Sequence, residues 1–285
     1  MIETHWSSDT LQLRIADFGG RRRHHGGSPD PDEIGAYATG LAGCSGGDAV
    51  VLGMTPELRA LALRRFERVV CVDGNPDSIA LYRDWIAPAD RSRETTILGD
   101  WLELPRLIAR PVSAVLADGV FGNLPNLGAH ASLLTAIAAV LQPQGRFVTR
   151  TAMIPDEFNP VEHRAERLRA QFRAGELNEA EFGFAMRLVG HHELCYDPQT
   201  YLLNNARLFA LCAARHAAGE FTSQEWQAIN RYYYGGSNCI LPQREWESTL
   251  LAGGWHFQLH RCRGRAWYDY YPVYACHRPA LHAAP

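Results

Sequence analysis

Residues 49–118 read AVVLGMTPELRALALRRFERVVCVDGNPDSIALYRDWIAPADRSRETTILGDWLELPRLIARPVSAVLAD. Four apolar runs stand out, at 49–52, 68–72, 95–98 and 112–117. None alternates polar with apolar. A strand wet on one face alternates; a run that does not must be covered on both. Between the first runs lie segments of helical spacing. Residues 55–66 place Leu58, Leu61 and Ala62 on one side, and 76–85 forms the next helix. Strand, helix, strand, helix predicts a parallel sheet with helices on both faces, a Rossmann-like, doubly wound α/β architecture.

The pattern extends outward in both directions. Pro31, Asp32 and Glu33 open a helix that runs to about Leu41, with acidic residues where the helix dipole favours them. After the fourth run comes a helix at 131–141, a Pro143-Gln144-Gly145 turn and a fifth strand at 146–150. Near the C-terminus, 255–260 and 270–277 read as an antiparallel pair closing an otherwise parallel sheet. The stretch between, 151–249, is helical in pattern at 160–173, 178–189, 200–218 and 223–233. The expected organisation is an N-terminal arm (1–34), a Rossmann-like domain (35–150 and 250–285) and a helical cap (151–249) inserted between the fifth and sixth strands.

Composition narrows the function classes. Hydrophobic residues make up 46% of 285 and charged residues 21%, ordinary for a globular chain. The net charge of -3 gives no basic footprint for nucleic acid. One short basic run, Arg21-Arg22-Arg23-His24-His25, lies in a Gly/Pro-rich segment and reads as a solvated loop. Seven cysteines, an odd number without a CxxC pair, argue against a disulfide framework or a zinc site. The N-terminus lacks the basic-then-apolar pattern of a signal peptide, and no apolar run reaches membrane-spanning length. The expected location is the cytoplasm, with no membrane partner. A homodimer is left open.

Doubly wound sheets bind ligands at the carboxyl ends of their strands. Here those ends are Gly53-Met54-Thr55-Pro56-Glu57, then Asp73 with Asn75 behind it, then Asp100-Trp101, then Asp118-Gly119. Each aspartate alone has an ordinary alternative as a helix cap or turn residue. Four polar strand ends in succession point to a ligand instead. Together with GGWHFQLH (253–260) and YYPVYACHR (270–278), they resemble the class I S-adenosylmethionine-dependent methyltransferases over about 35–150 and 246–278. That resemblance implies S-adenosylmethionine as cofactor. It implies that Asp73 holds the ribose hydroxyls, that Asp100 accepts from the adenine amino group and that Trp101 offers its amide and a stacking face. Asp118 falls near the methionyl end and the acceptor.

The first loop departs from the family's usual GxGxG by having a single glycine. Gly53 still allows close backbone approach, Thr55 can cap the next helix, Pro56 suits its first position, and Glu57 can reach an ammonium group. A pyrophosphate needs several converging N–H donors, so this loop argues against a nicotinamide dinucleotide and a dehydrogenase.

The acceptor side is expected from the cap and the arm. Candidates are Tyr233 within Tyr232-Tyr233-Tyr234, Asn238 after a Gly-Gly-Ser turn, His191 of a His191-His192 pair, and Asp118; Tyr37 and Trp6 are candidate walls. Scattered histidines give no metal site. The leading expectation is methyl transfer to a nitrogen or oxygen of a small molecule in specialised metabolism. A second is cyclisation of the cofactor's own aminobutyryl chain to azetidine-2-carboxylate with release of methylthioadenosine, the cofactor being the sole substrate. A third is a non-catalytic S-adenosylmethionine-binding module.

Overall fold

The runs at 49–52, 68–72 and 112–117 form strands whose faces find apolar cover, whereas the run at 95–98 becomes an edge strand that is only partly covered, with Leu98 59% exposed. The computed structural model describes residues 27–155, 164–190, 192–230, 236–265 and 267–279. Strands β1 (Asp48–Leu52), β2 (Arg68–Asp73), β3 (Glu94–Leu98), β4 (Val112–Asp118) and β5 (Leu141–Arg150) are parallel neighbours in the order β5-β4-β1-β2-β3. Alternate residues of each strand serve opposite layers. Val50, Leu52, Val115, Ala117 and Phe147 bury on one face. Ala49, Val51, Ala114, Leu116 and Val148 bury on the other. A one-residue slip would still bury apolar side chains but would mismatch every layer. With about 1.5–3 kcal/mol resting on each fully buried Val or Leu, register is strongly set.

Helices α1 (Pro31–Gly40), α2 (Pro56–Arg65) and α3 (Pro76–Tyr82) cover the second face through Tyr37, Leu58, Leu61 and Tyr82. Helix α4 (Leu127–Val140) covers the first through Leu133, Leu134 and Ile137. The start of α1 is set locally. Asp30 accepts from the Asp32 and Glu33 amides, Glu33 reaches back to the Asp30 amide, and Pro31 fills the first turn. Arg59 of α2 is fully buried and forks onto Glu94 of β3 while donating to the Tyr82 and Arg83 carbonyls. That fork fixes α2, α3 and β3 relative to one another.

Above the sheet, α5 (Arg164–Arg173), α6 (Glu179–Ala185), α7 (Asn205–Ala217) and α8 (Ser223–Asn230) form a cap with its own core, including Phe182, Phe184, Met186, Leu203 and Leu208. Two local departures from the sequence expectation occur here. The helix expected through 189 changes at Met186–Gly190 to a π-helical turn. The helix expected from 200 starts five residues later. Asn204 caps it by accepting from the Arg207 amide at 2.9 Å, and Leu202–Asn204 pairs as a strand between Tyr196–Asp197 and Ser237–Cys239. Strand pairing thus takes residues whose spacing alone looked helical.

The chain returns to the sheet through α9 (Gln243–Ala252). Residues 243–249, grouped with the cap on sequence, bury Trp246 beside Phe121 and Tyr274 in the sheet's own core, where Leu250 is also buried. Strands β6 (His256–His260) and β7 (Val273–His277) complete a seven-stranded sheet, β6-β7-β5-β4-β1-β2-β3, with β7 antiparallel to both neighbours. The β6–β7 connection inserts Trp267, Tyr268 and Tyr270 into the cap core, and Tyr268 donates to Asp30 at the start of α1. One loop therefore ties sheet, cap and first helix together. All seven cysteines are free thiols, and no described helix is long and apolar enough to cross a membrane.

Candidate active site

Between β1 and β4 the strand order reverses, and a crevice opens at the carboxyl ends of the strands. A cleft of ~190 Å³ lies there. That volume holds on the order of a dozen waters, far more than a packing void. The first loop and the ends of β2 and β4 form its floor, and the cap forms its roof through Phe184, Arg187, Leu188, Asn238 and Ile240. Gly27 and Ser28, just before α1, close one side.

The β2 corner is stitched from three strand ends. The Gly53 amide and the Trp101 indole N–H both donate to the Val72 carbonyl at 2.7 Å, and the Gly99 amide donates to the Asp73 carbonyl at 3.1 Å. Gly53 sits at φ +90°, where a side chain would be strained. Asp73 faces the cleft but is only 6% exposed. One oxygen accepts from the Asn75 amide at 2.8 Å and the other from the Ser78 hydroxyl at 3.2 Å. Burial outweighs these bonds and pushes the carboxyl up to about 6. A carboxylate so placed is under-supplied with donors, and a ligand diol provides two.

The other sequence candidates around this corner divide. Thr55, Asn75 and Trp101 line the cleft with Asp73; Glu57 and Asp100 do not. Asn75 caps α3, accepting from the Asp77 and Ser78 amides. Asp100 caps the short turn Trp101–Glu103 by accepting from the Leu102 amide at 2.9 Å. Thr55 sits at the start of α2 but makes no side-chain cap bond, contrary to the sequence expectation. Pro56 follows, so this helix start offers one N–H fewer to an anion. The cradle suits a ribose better than a pyrophosphate.

The β4 end is a buried ion cluster. Arg150, 0% exposed at the end of β5, holds both oxygens of Asp118 at 2.8 and 3.2 Å. The same guanidinium donates to Glu33 at 2.6 Å and to the Gly27 carbonyl at 2.6 Å, and it lies 4.2 Å over the Tyr271 ring. Tyr37 is not a cleft wall, as chain order suggested. It is wholly buried, donates to the Ala117 carbonyl at 2.6 Å and accepts from the Arg150 amide at 2.7 Å, bridging β4 and β5. Burial also raises Glu33, against the pull of Arg150. Asp118 thus enters the cleft with both oxygens already on a buried cation.

On the roof, Asn238 is similarly engaged. Its oxygen accepts from Arg187 at 2.5 Å and from Asn205 at 2.8 Å, and its amide donates to the Gly122 carbonyl at 2.8 Å. It clamps the cap to the loop after β4. Trp6, the run at 21–25, His191 and Tyr232 to Tyr234 lie outside the described residues.

Three site residues escaped the sequence reading: Arg150, Arg187 and Tyr271. Arg150 and Tyr271 end or precede strands that read as plain apolar runs, and Arg187 lies in a segment of helical spacing. The available signals were a basic residue ending the buried run RFVTR and the aromatic-rich AWYDYYP before β7.

No protein-family model matches this sequence, and a search of curated proteins found no match either. Solved structures do match its fold. A Rhodobacter sphaeroides protein, described only provisionally as a zinc-dependent alcohol dehydrogenase, superimposes with a TM-score of 0.58 at 12% identity over 98% of this chain and 100% of its own. The glycopeptide N-methyltransferase MtfA complexed with S-adenosylhomocysteine gives 0.53 at 16% identity, covering 94% and 97%. The N-methyltransferase NodS from Bradyrhizobium japonicum, also with S-adenosylhomocysteine, gives 0.50 at 10% identity, covering 97% and 100%. The fold of this chain is the Rossmann-like fold of class I methyltransferases.

Proposed function

We propose that the cleft binds S-adenosylmethionine and that the chain is a small-molecule enzyme using it, with methyl transfer to nitrogen or oxygen as the leading reaction. The observation that carries this is Asp73: a cleft-facing carboxylate at the end of β2, buried, raised to about 6 and short of donors. A ribose diol supplies what it lacks. Gly53 lets the ligand approach the backbone, and Trp101 walls the same corner. The methionyl end then lies toward Gly119 and Asp118. The cofactor's sulfonium supplies an electrophilic carbon. The chain's residues bind, align and exclude water. The roof of Phe184, Leu188 and Ile240 provides the exclusion. Tyr271 and its neighbours provide the polar contacts.

One observation favours a second reading. Asp118 has both oxygens on Arg150, and Asn238 is bonded at both ends of its amide. Neither is placed to take a proton from a separate acceptor. Intramolecular displacement needs no second substrate. The methionyl α-ammonium loses a proton to water, its nitrogen lone pair attacks its own γ-carbon, the γ-carbon–sulfur bond breaks with its electron pair going to sulfur, and methylthioadenosine leaves as azetidine-2-carboxylate forms with its ring nitrogen protonated. The deciding experiment is incubation of the protein with S-adenosylmethionine alone, followed by mass spectrometry. Stoichiometric methylthioadenosine above the no-enzyme blank selects the cyclase. Its absence, with S-adenosylhomocysteine forming only when amine or phenol acceptors are added, selects the transferase.

A further inference from the structure

We propose that the Tyr271 hydroxyl receives an N–H of a primary or secondary amine at the β4 end of the cleft and so selects the nucleophile. This rests on the methyl-transfer reading and narrows it from nitrogen or oxygen to an amine nitrogen.

Tyr271 enters the cleft from the β6–β7 connection, and its ring is held in place. The Arg150 guanidinium lies 4.2 Å over it, and the Phe184 ring of the cap packs at 6.0 Å. The Tyr271 amide donates to the Tyr268 carbonyl at 3.3 Å. The hydroxyl reaches the end of β4. A Cβ added at Gly119 would fall 2.3 Å from it, so this close approach needs the glycine, which sits at φ +65°. Asp118, Asn238 and Asn123 line the same end but are committed to the protein. Asp118 has both oxygens on Arg150, the Asn238 amide donates to the Gly122 carbonyl, and the Asn123 amide donates to the Gly119 carbonyl at 3.3 Å. The Tyr271 hydroxyl makes no hydrogen bond among the described residues.

Burial, and then the Asp118 carboxylate, push the phenol well above its ordinary range. It therefore stays protonated at neutral pH. Such an oxygen accepts a hydrogen bond but does not take a proton. An amine needs no more than that. In its neutral form it already carries the lone pair that attacks, and one N–H given to Tyr271 turns that pair toward the cofactor. The lone pair forms the bond to the methyl carbon, the carbon–sulfur pair goes to sulfur, S-adenosylhomocysteine leaves, and the alkylated nitrogen then gives its proton to water. An alcohol would need its proton removed as it attacks, which a protonated phenol does not do. A tertiary amine has no N–H to give.

Titration calorimetry of wild type and Tyr271→Phe with S-adenosylhomocysteine and sinefungin tests this before any acceptor is identified. Sinefungin carries an amine on carbon where S-adenosylmethionine has its sulfonium methyl, so its N–H bonds point toward the place of the nucleophile. Tyr271→Phe should leave S-adenosylhomocysteine binding unchanged and weaken sinefungin about ten-fold. A merely structural role would weaken both ligands alike. With amine acceptors that turn over, the same variant should lower kcat about ten- to hundred-fold at unchanged KM for S-adenosylmethionine. An unchanged ratio of sinefungin to S-adenosylhomocysteine affinity overturns the proposal and leaves the cofactor reading intact. Transfer to alcohols in preference to amines also overturns it. Should wild type bind neither ligand, the cofactor reading fails and this proposal fails with it.

Discussion

Replacing Asp73 with asparagine separates the cost of the site from its use. A carboxyl raised to about 6 from an ordinary 3.8 has its charged form disfavoured in the fold by ~3 kcal/mol at neutral pH. Asparagine keeps the shape and one carbonyl oxygen for the Asn75 amide, and it carries no charge to bury. Asp73→Asn should therefore stabilise the unliganded protein by about 2–3 kcal/mol at pH 7.5. The urea midpoint then rises by about 1 M. The pH dependence follows from linkage. The folded protein holds this proton more tightly than the unfolded chain, so the wild-type penalty is fully present above pH 6. It shrinks as pH falls through 6 and vanishes near 4. The gap between variant and wild type should narrow over that window. Affinity moves the other way. Losing the charge-assisted bonds to a diol weakens S-adenosylmethionine by ~2 kcal/mol or more, about 30-fold. A variant less stable than wild type at pH 7.5, or a stability gap equal at pH 7.5 and 4.5, refutes the electrostatic reasoning. An affinity within threefold of wild type refutes the diol role.

Three further outcomes follow from the geometry. Arg150→Met leaves Asp118 and Glu33 buried without their shared cation and should cost about 3–5 kcal/mol, lowering Tm by ~10 °C, with Arg150→Lys falling less; an unchanged Tm contradicts the cluster's role. Gly119→Ala places a methyl group 2.3 Å from the Tyr271 hydroxyl at φ +65° and should destabilise by ~2 kcal/mol or more. Adding Tyr271→Phe removes the clash, leaves ring carbon at 3.6 Å, and should recover all but the ~1 kcal/mol of backbone strain in urea melts; no recovery contradicts it. His130, packed between Phe121 and Trp246, is held neutral by burial and pushed down to about 4. The unfolded chain takes this proton first, so wild type should lose ~3 kcal/mol between pH 6.5 and 4, and His130→Leu should lose less; parallel pH profiles of the two contradict the assignment.

The centre of the sheet was legible because its strands are covered on both sides. The runs at 49–52, 68–72 and 112–117 could sit nowhere else, and their ends named the cleft. Asp73, Thr55, Asn75, Trp101 and Asp118 could be located from strand order alone. What escaped depends on distant pairing. Arg150 ends a strand that reads as apolar, yet it gathers Glu33, Asp118 and Gly27 from three other segments. Nothing local marks that. Tyr37 looked like a wall from its place in the chain, but its hydroxyl is consumed between β4 and β5. Asn238 read as a substrate contact because it follows a glycine turn; it does line the cleft, and the bonds of its amide to Arg187, Asn205 and Gly122 could not be read from the sequence. In the cap, helical spacing at 200–204 lost to pairing with Tyr196–Asp197, an interaction that periodicity does not register.

What the cleft binds is the most direct test of its chemistry. Titration calorimetry of the full chain with S-adenosylmethionine, S-adenosylhomocysteine and NAD at pH 7.5 measures it. The raised carboxyl of Asp73, the single-glycine loop and Pro56 predict saturable binding of the first two, abolished or weakened at least 30-fold in Asp73→Asn, and no binding of NAD. Binding of NAD without S-adenosylmethionine, or S-adenosylmethionine binding indifferent to Asp73, would contradict it.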